Sequence, residues 1–154
     1  MSINSKGALL NYTTGIDAQK TAMEIIGQLV LHGCSRVQLI VSNAQVSGVT
    51  FGLNVGSDER GFKLPVNVDA VCTKLVQQAN IRKIPQRFAT KEQANRVAWR
   101  ILKDWVVAQM AIVEAGMVKT EEVFLPYMLV SNEVTLFKAI EGKQLLLPAP
   151  EEVL

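Results

Sequence analysis

Residues 90–116 read TKEQANRVAWRILKDWVVAQMAIVEAG, with no proline and no glycine before the last position. The spacing predicts one long helix. Thr90 is a capping residue with Gln93 three positions on, the capping-box arrangement, and Gly116 offers a left-handed stop. At about 100° per residue, Ala94, Ile101, Trp105, Ala108 and Ile112 share one face, and Arg96, Arg100 and Lys103 share the opposite one. The first half is therefore amphipathic with a basic outer stripe. Beyond Lys103 the outer stripe turns apolar at Val107 and Met110, and a helix apolar nearly all round is buried by neighbouring elements or by a partner chain.

Upstream of this helix the pattern has the period of strands. ALLNYTT at 8–14 reads as a short strand, and Asp17 is placed to cap a helix over 18–31 that Gly33 closes. Val37, Leu39 and Val41 alternate in a strand over 36–43. Over 49–55, Val, Phe, Leu and Val alternate with Thr50, Gly52 and Asn54, the pattern of a strand buried on one face and small and polar on the other. Gly52 and Gly56 leave room on that second face for a packing contact or a flat ligand. SDER at 57–60 is a turn, 61–65 a return strand, and Asn67 a cap for a helix over 68–78. Residues 79–89, ANIRKIPQRFA, form a proline-containing basic connection into the long helix.

Downstream, Thr120 caps a short helix limited by Pro126, and 133–140 form another. Residues 144–147 can pair as an edge strand before a flexible end at 148–154. Strands first and helices after argue for α+β: an antiparallel sheet of about four strands, packed on one face by the long central helix and three or four shorter ones, in a single domain over 1–154.

Composition narrows the function classes. Charged residues make up 19% of the 154, below the usual quarter, and hydrophobic residues 49%, with a mean hydropathy of +0.20. So thin a charged surface on a small domain predicts that other subunits cover part of it, a homo-oligomer. No signal-peptide core opens the chain and no apolar run reaches membrane-span length, so a cytoplasmic protein without a membrane partner is expected. Cys34 and Cys72 lack CxxC spacing and read as reduced core residues. His32, the only histidine, precedes a helix-ending glycine and is expected to meet the last carbonyls. Neither common phosphate-cradling glycine loop is present, no nucleophile motif accompanies His32, and no ligand set suggests zinc or magnesium. No cofactor and no enzymatic activity are expected.

Charge distribution carries the main functional signal. Residues 1–81 hold six basic and five acidic side chains, 82–103 hold seven basic against Glu92 alone, and 104–154 hold three basic against eight acidic. Arg82, Lys83, Arg87 and Lys91, then Arg96, Arg100 and Lys103, are interleaved with Phe88 and Trp99. Binding of single-stranded nucleic acid needs that mixture, because cations track the phosphates while rings or guanidinium planes stack on bases. Trp99 lies about 60° from the basic stripe and is the one tryptophan placed to stack, whereas Trp105 lies opposite, in the core. A solvated helix face beside a buried tryptophan would give the same pattern.

A second reading is a protein-interaction module, an inhibitor of a host protein or an assembly factor. It would dock through the acidic final third and the apolar run VFLPYML, with Phe124, Leu125, Tyr127 and Met128 as contacts. The basic block and the acidic third pairing between subunits would serve assembly only.

Four stretches resemble a group of small proteins encoded by tailed bacteriophages and their prophages. They are KTAMEI at 20–25, LPVNV at 64–68, RVAWRILKDWVVAQMA at 96–111 and MVKTEEVFLPYM at 117–128. The resemblance implies a phage setting, favouring a role in replication, recombination or host take-over, and it transfers no site residue.

Overall fold

In the computed structural model, which describes residues 7–143, the chain runs α1 (Ala18–Leu31), β1 (Ser35–Ser42), β2 (Gln45–Val55), β3 (Asp58–Lys63), α2 (Val68–Asn80), α3 (Lys91–Glu114), α4 (Thr120–Phe124), β4 (Leu129–Ser131), β5 (Val134–Thr135) and α5 (Leu136–Lys143). The architecture is α+β. A three-stranded antiparallel sheet in the order β1-β2-β3 carries the long helix α3, and β4-β5 form a separate two-stranded sheet.

Turn chemistry sets the larger sheet. Ser42 pairs with Gln45 across Asn43 and Ala44, both left-handed at φ 53 and 63, as a two-residue type I′ hairpin requires. Val55 pairs with Asp58 across Gly56 and Ser57. The polar run expected as a turn at 57–60 is therefore mostly strand, with Glu59 opposite Asn54 and Arg60 opposite Leu53. Its polarity reflects an exposed sheet end, because a tight hairpin needs only two loop residues. The β1–β2 pairing shifts register between Ser35 and Gln38 and again between Ile40 and Val41, and Arg36 sits at φ 48 within the first irregularity. Such bulges blunt an edge strand against pairing with another chain.

One face of the sheet is the core. Val49, Phe51, Leu53 and Phe62 pack with Ala22, Ile25 and Leu29 of α1, with Trp99, Leu102, Val106 and Met110 of α3, and with Phe124. Phe51 stacks on Phe62 at 5.4 Å and meets Phe124 edge-on at 5.1 Å. A second cluster joins Leu75 and Ala79 of α2 to Ile84 and to Ala94 and Val97 of α3. The opposite sheet face is not an open slot at Gly52. The Glu59 carboxylate lies across that glycine, accepting from Ser35 Oγ at 3.0 Å and pairing with Arg36 Nε at 3.3 Å.

Helix ends follow the sequence at several points and depart from it at others. Asn67 Oδ1 accepts the N–H of Ala70, and Thr90 Oγ1 accepts that of Gln93. Gln93 does not complete a capping box. Its Nε2 donates instead to the carbonyls of Tyr12 at 2.8 Å and Thr14 at 2.9 Å, tying the N-terminal segment to α3. Asp17 makes no side-chain cap bond, and Lys119 rather than Thr120 stands before α4, its N–H bonded to Glu122. Gly33 and Gly116, at φ 87 and 80, end α1 and α3 in one pattern. The glycine N–H returns three residues, to Val30 and Val113, and the next N–H returns five, to Leu29 and Ile112.

Two expected elements are replaced. Residues 8–14 form consecutive turns, with Tyr12 bonded back to Leu9, Thr14 to Asn11 and Asn11 at φ 62, outside the region of regular strand backbone. The segment lies against α2 and α3 instead, where Leu9 and Tyr12 join the second cluster. Helix α5 begins at Leu136 rather than near Glu133, because Asn132 and Glu133 turn the β4–β5 hairpin and Glu133 takes φ 65. Lys63 Nζ reaches Glu133 at 2.6 Å, and that hydrogen bond, with the lysine charge, lowers the Glu133 pKa. The edge strand expected at 144–147 and the flexible end at 148–154 lie outside the described residues.

Candidate nucleic-acid interface

The basic block divides into two parts with different environments. On α3, the arginines of the expected outer stripe face neighbours. Arg100 Nη1 lies 2.7 Å from Glu24 Oε2 and 3.4 Å from Thr21 Oγ1, with its side chain 18% exposed. Arg96 Nε donates to Gln93 Oε1 at 2.9 Å, and its Nη1 sits 3.8 Å from Glu92. Lys103 is half-buried. Arg100 therefore helps hold α3 against α1, while Arg96 is engaged along its own helix, with Gln93 and Glu92.

Trp99 is a core residue and not a stacking platform. Its side chain is fully buried against the sheet and α1, so no base can stack on it, and its Nε1 has no partner among the described residues. An unpaired buried donor costs about 1–3 kcal/mol, offset here by the large ring removed from water. The reason lies in the number of neighbours. Helix α3 is buried on two faces, Ala94, Val97 and Ile101 towards α2, and Trp99, Leu102, Val106 and Met110 towards the sheet and α1. The second face lies about 150° round from the first, and it takes in the margin of the basic stripe. Trp105, expected in the core, is half-buried between Phe124 at 5.8 Å and Tyr127 at 5.7 Å.

The connection from α2 to α3 is a different surface. Arg82, Arg87 and Lys91 are exposed and Lys83 is half-buried. The turn is held from beneath by Ile84, which is buried between α2 and α3, while the N–H groups of Lys83 and Ile84 return to the Gln78 carbonyl. A 3₁₀ turn, Gln86–Phe88, brings Arg87 over its neighbour, the guanidinium carbon 4.6 Å from the Phe88 ring centre. Tyr12 supports that ring edge-on at 5.4 Å. Arg82, Lys83, Gln86, Ala79, Ile84 and Pro85 line a hollow of about 380 Å³. Lys91 lies 3.8 Å from Asp69, both well exposed, a contact worth little. Residues 70–91 contain Lys74 and these four cations with no acid, and Lys74 is exposed on α2. Lys74 lies outside the 82–103 block, and its signal is the absence of any carboxylate between Asp69 and Glu92.

The expected protein-docking set is largely core. Phe124 is fully buried, Tyr127 is half-buried against Trp105, and Met128 is half-buried and bridges to Phe62. Only Leu125 is exposed, because α4 turns its apolar side onto the sheet and Trp105. Met117, Val130 and Phe137 are the large exposed apolar side chains around it in the sequence.

Other chemistry-bearing groups have structural partners. His32 Nδ1 lies 2.8 Å from the Gln28 carbonyl, as its place beside Gly33 suggests, and Nε2 lies 2.9 Å from Glu114, joining the ends of α1 and α3. Cys34 and Cys72 are unpaired, and burial pushes the Cys34 thiol up to about 11. Among the described residues no group of His, Cys, Asp and Glu is arranged to hold a metal ion, and no helix is long and apolar enough to cross a membrane. Compared with known proteins, the chain matches no family model, no curated protein and no solved structure.

Proposed function

We propose that this is a non-enzymatic nucleic-acid-binding accessory protein of a tailed phage, acting in the host cytoplasm in replication or recombination, with single-stranded DNA as the favoured ligand. The carrying observation is the α2–α3 turn: Arg82, Arg87 and Lys91 are exposed with Lys83 beside them, on a stretch without a carboxylate. The stacking role read into Trp99 passes to Arg87, whose guanidinium plane is backed by Phe88 and Tyr12. Guanidinium planes stack on unpaired bases, and single strands offer such bases where a duplex does not. Arg96 and Arg100 drop out of the ligand set, being engaged within the fold.

The test is a fluorescence-polarisation titration of labelled single-stranded DNA, single-stranded RNA and duplex DNA at about 50 and 200 mM salt, a range over which several phosphate contacts cost orders of magnitude in affinity. Salt-sensitive binding, strongest to single-stranded DNA and removed by Arg82→Ala plus Arg87→Ala, is the expected result. No binding to any of the three at low salt sinks the reading.

A protein-docking role, including self-association, is favoured by a separate observation. Met117, Leu125, Val130 and Phe137 are exposed at 74%, 39%, 47% and 54% in the acidic final third. Sedimentation analysis of the wild type and of Phe137→Ser measures self-association through this region.

A further inference from the structure

Helices α1, α2 and α3 end in the same backbone arrangement, and only α2 ends it on a residue with a side chain. In α1 and α3 the left-handed position is Gly33 and Gly116. In α2 it is Arg82 at φ 59, its N–H bonded to Ala79 O at 3.0 Å and that of Lys83 to Gln78 O at 2.8 Å, the same three-back and five-back pattern. A Cβ in this conformation crowds the backbone, which is why glycine is the ordinary occupant. Asparagine is the usual second choice, and arginine has neither advantage. Arg82 is exposed, and among the described residues it pairs with no carboxylate. No ion pair therefore explains why an arginine occupies this position.

We propose that Arg82 is a dedicated phosphate-binding residue, held in a strained left-handed conformation so that its guanidinium stands at the basic hollow of the α2–α3 turn and pairs with a backbone phosphodiester. This rests on the nucleic-acid reading above and names the part of that site which takes the phosphate. Arg82 lines the hollow, and guanidinium matches two phosphate oxygens at once. Gln86 and Lys83 line the same hollow. Arg87, whose guanidinium carbon lies 4.6 Å from the Phe88 ring centre, takes the base.

The two roles of Arg82 move in opposite directions on substitution, which makes the proposal testable. Arg82→Gly is expected to raise the thermal midpoint by about 2–4 °C, since it relieves the strained position. It should also weaken binding of a labelled oligo-dT strand about tenfold and reduce the salt slope by about 0.7, one phosphate contact. Arg82→Asn, which tolerates the same backbone, should lose affinity equally. A higher midpoint with unchanged affinity and slope overturns the proposal and leaves the nucleic-acid reading standing. A lower midpoint for Arg82→Gly removes its premise. Failure of the wild type to bind any strand overturns both, and the wild-type titration alone distinguishes that case.

Discussion

Cys34 closes the turn after α1 with its thiol buried beneath the sheet, and desolvation of the thiolate raises its pKa from 9.0 to about 11. Below pH 9 both folded and unfolded chains carry the neutral thiol, and no stability depends on it. Between about pH 9 and 11 the unfolded chain ionises first, so stability falls as pH rises, by at most about 2–3 kcal/mol in total. Urea unfolding from pH 8 to 11 should show this loss, and Cys34→Ala should show a shallower one; identical slopes would mean that the thiol is not desolvated. Trp99 and Arg100 mark where residue-level reading stopped. Each is placed by a partner far away in sequence, Trp99 by the sheet and α1 and Arg100 by Glu24. Spacing along one helix assigns an angle to a side chain, but it carries no information about which angles are occupied by neighbours.

At the scale of the element, the hairpin between β1 and β2 holds two adjacent left-handed residues. Both turn residues are left-handed, and the second is Ala44 rather than the glycine that type I′ turns prefer. Ala44→Gly should stabilise the protein by about 0.5–1 kcal/mol in urea denaturation, with the slope unchanged. A loss of stability would mean that the strands are joined by another turn. Elements with strong local signals were legible: α1 begins and ends as its pattern predicts, Asn67 caps α2, and Gly116 stops α3. Elements with weak signals were misread. Residues 8–14 have a strand's composition but follow consecutive turns, and the β4–β5 hairpin is too short for alternation to reveal.

For the whole molecule, α3 is the shared wall of two core clusters, one with α1 and the sheet and one with α2 and the segment around Leu9 and Tyr12. A chain organised in this way should unfold in one step. Far-ultraviolet circular dichroism, which follows every helix, and tryptophan fluorescence, which follows the sheet-side cluster through Trp99 and Trp105, should give coincident thermal transitions. Separated transitions would show that the α2 cluster melts as its own unit. The sequence by itself determined the α+β class, the long helix, its cap and stop, and the cation-rich stretch before it, because these rest on local propensity, period and charge counting. Only the tertiary structure decided that Trp99 and Phe124 are core, that Arg100 is engaged with α1, and that Arg82, Arg87 and Lys91 are exposed on the way from α2 into α3. Burial is a property of pairs of distant elements: α3 meets neighbours on two sides, and no pattern within one element says how many neighbours it will have.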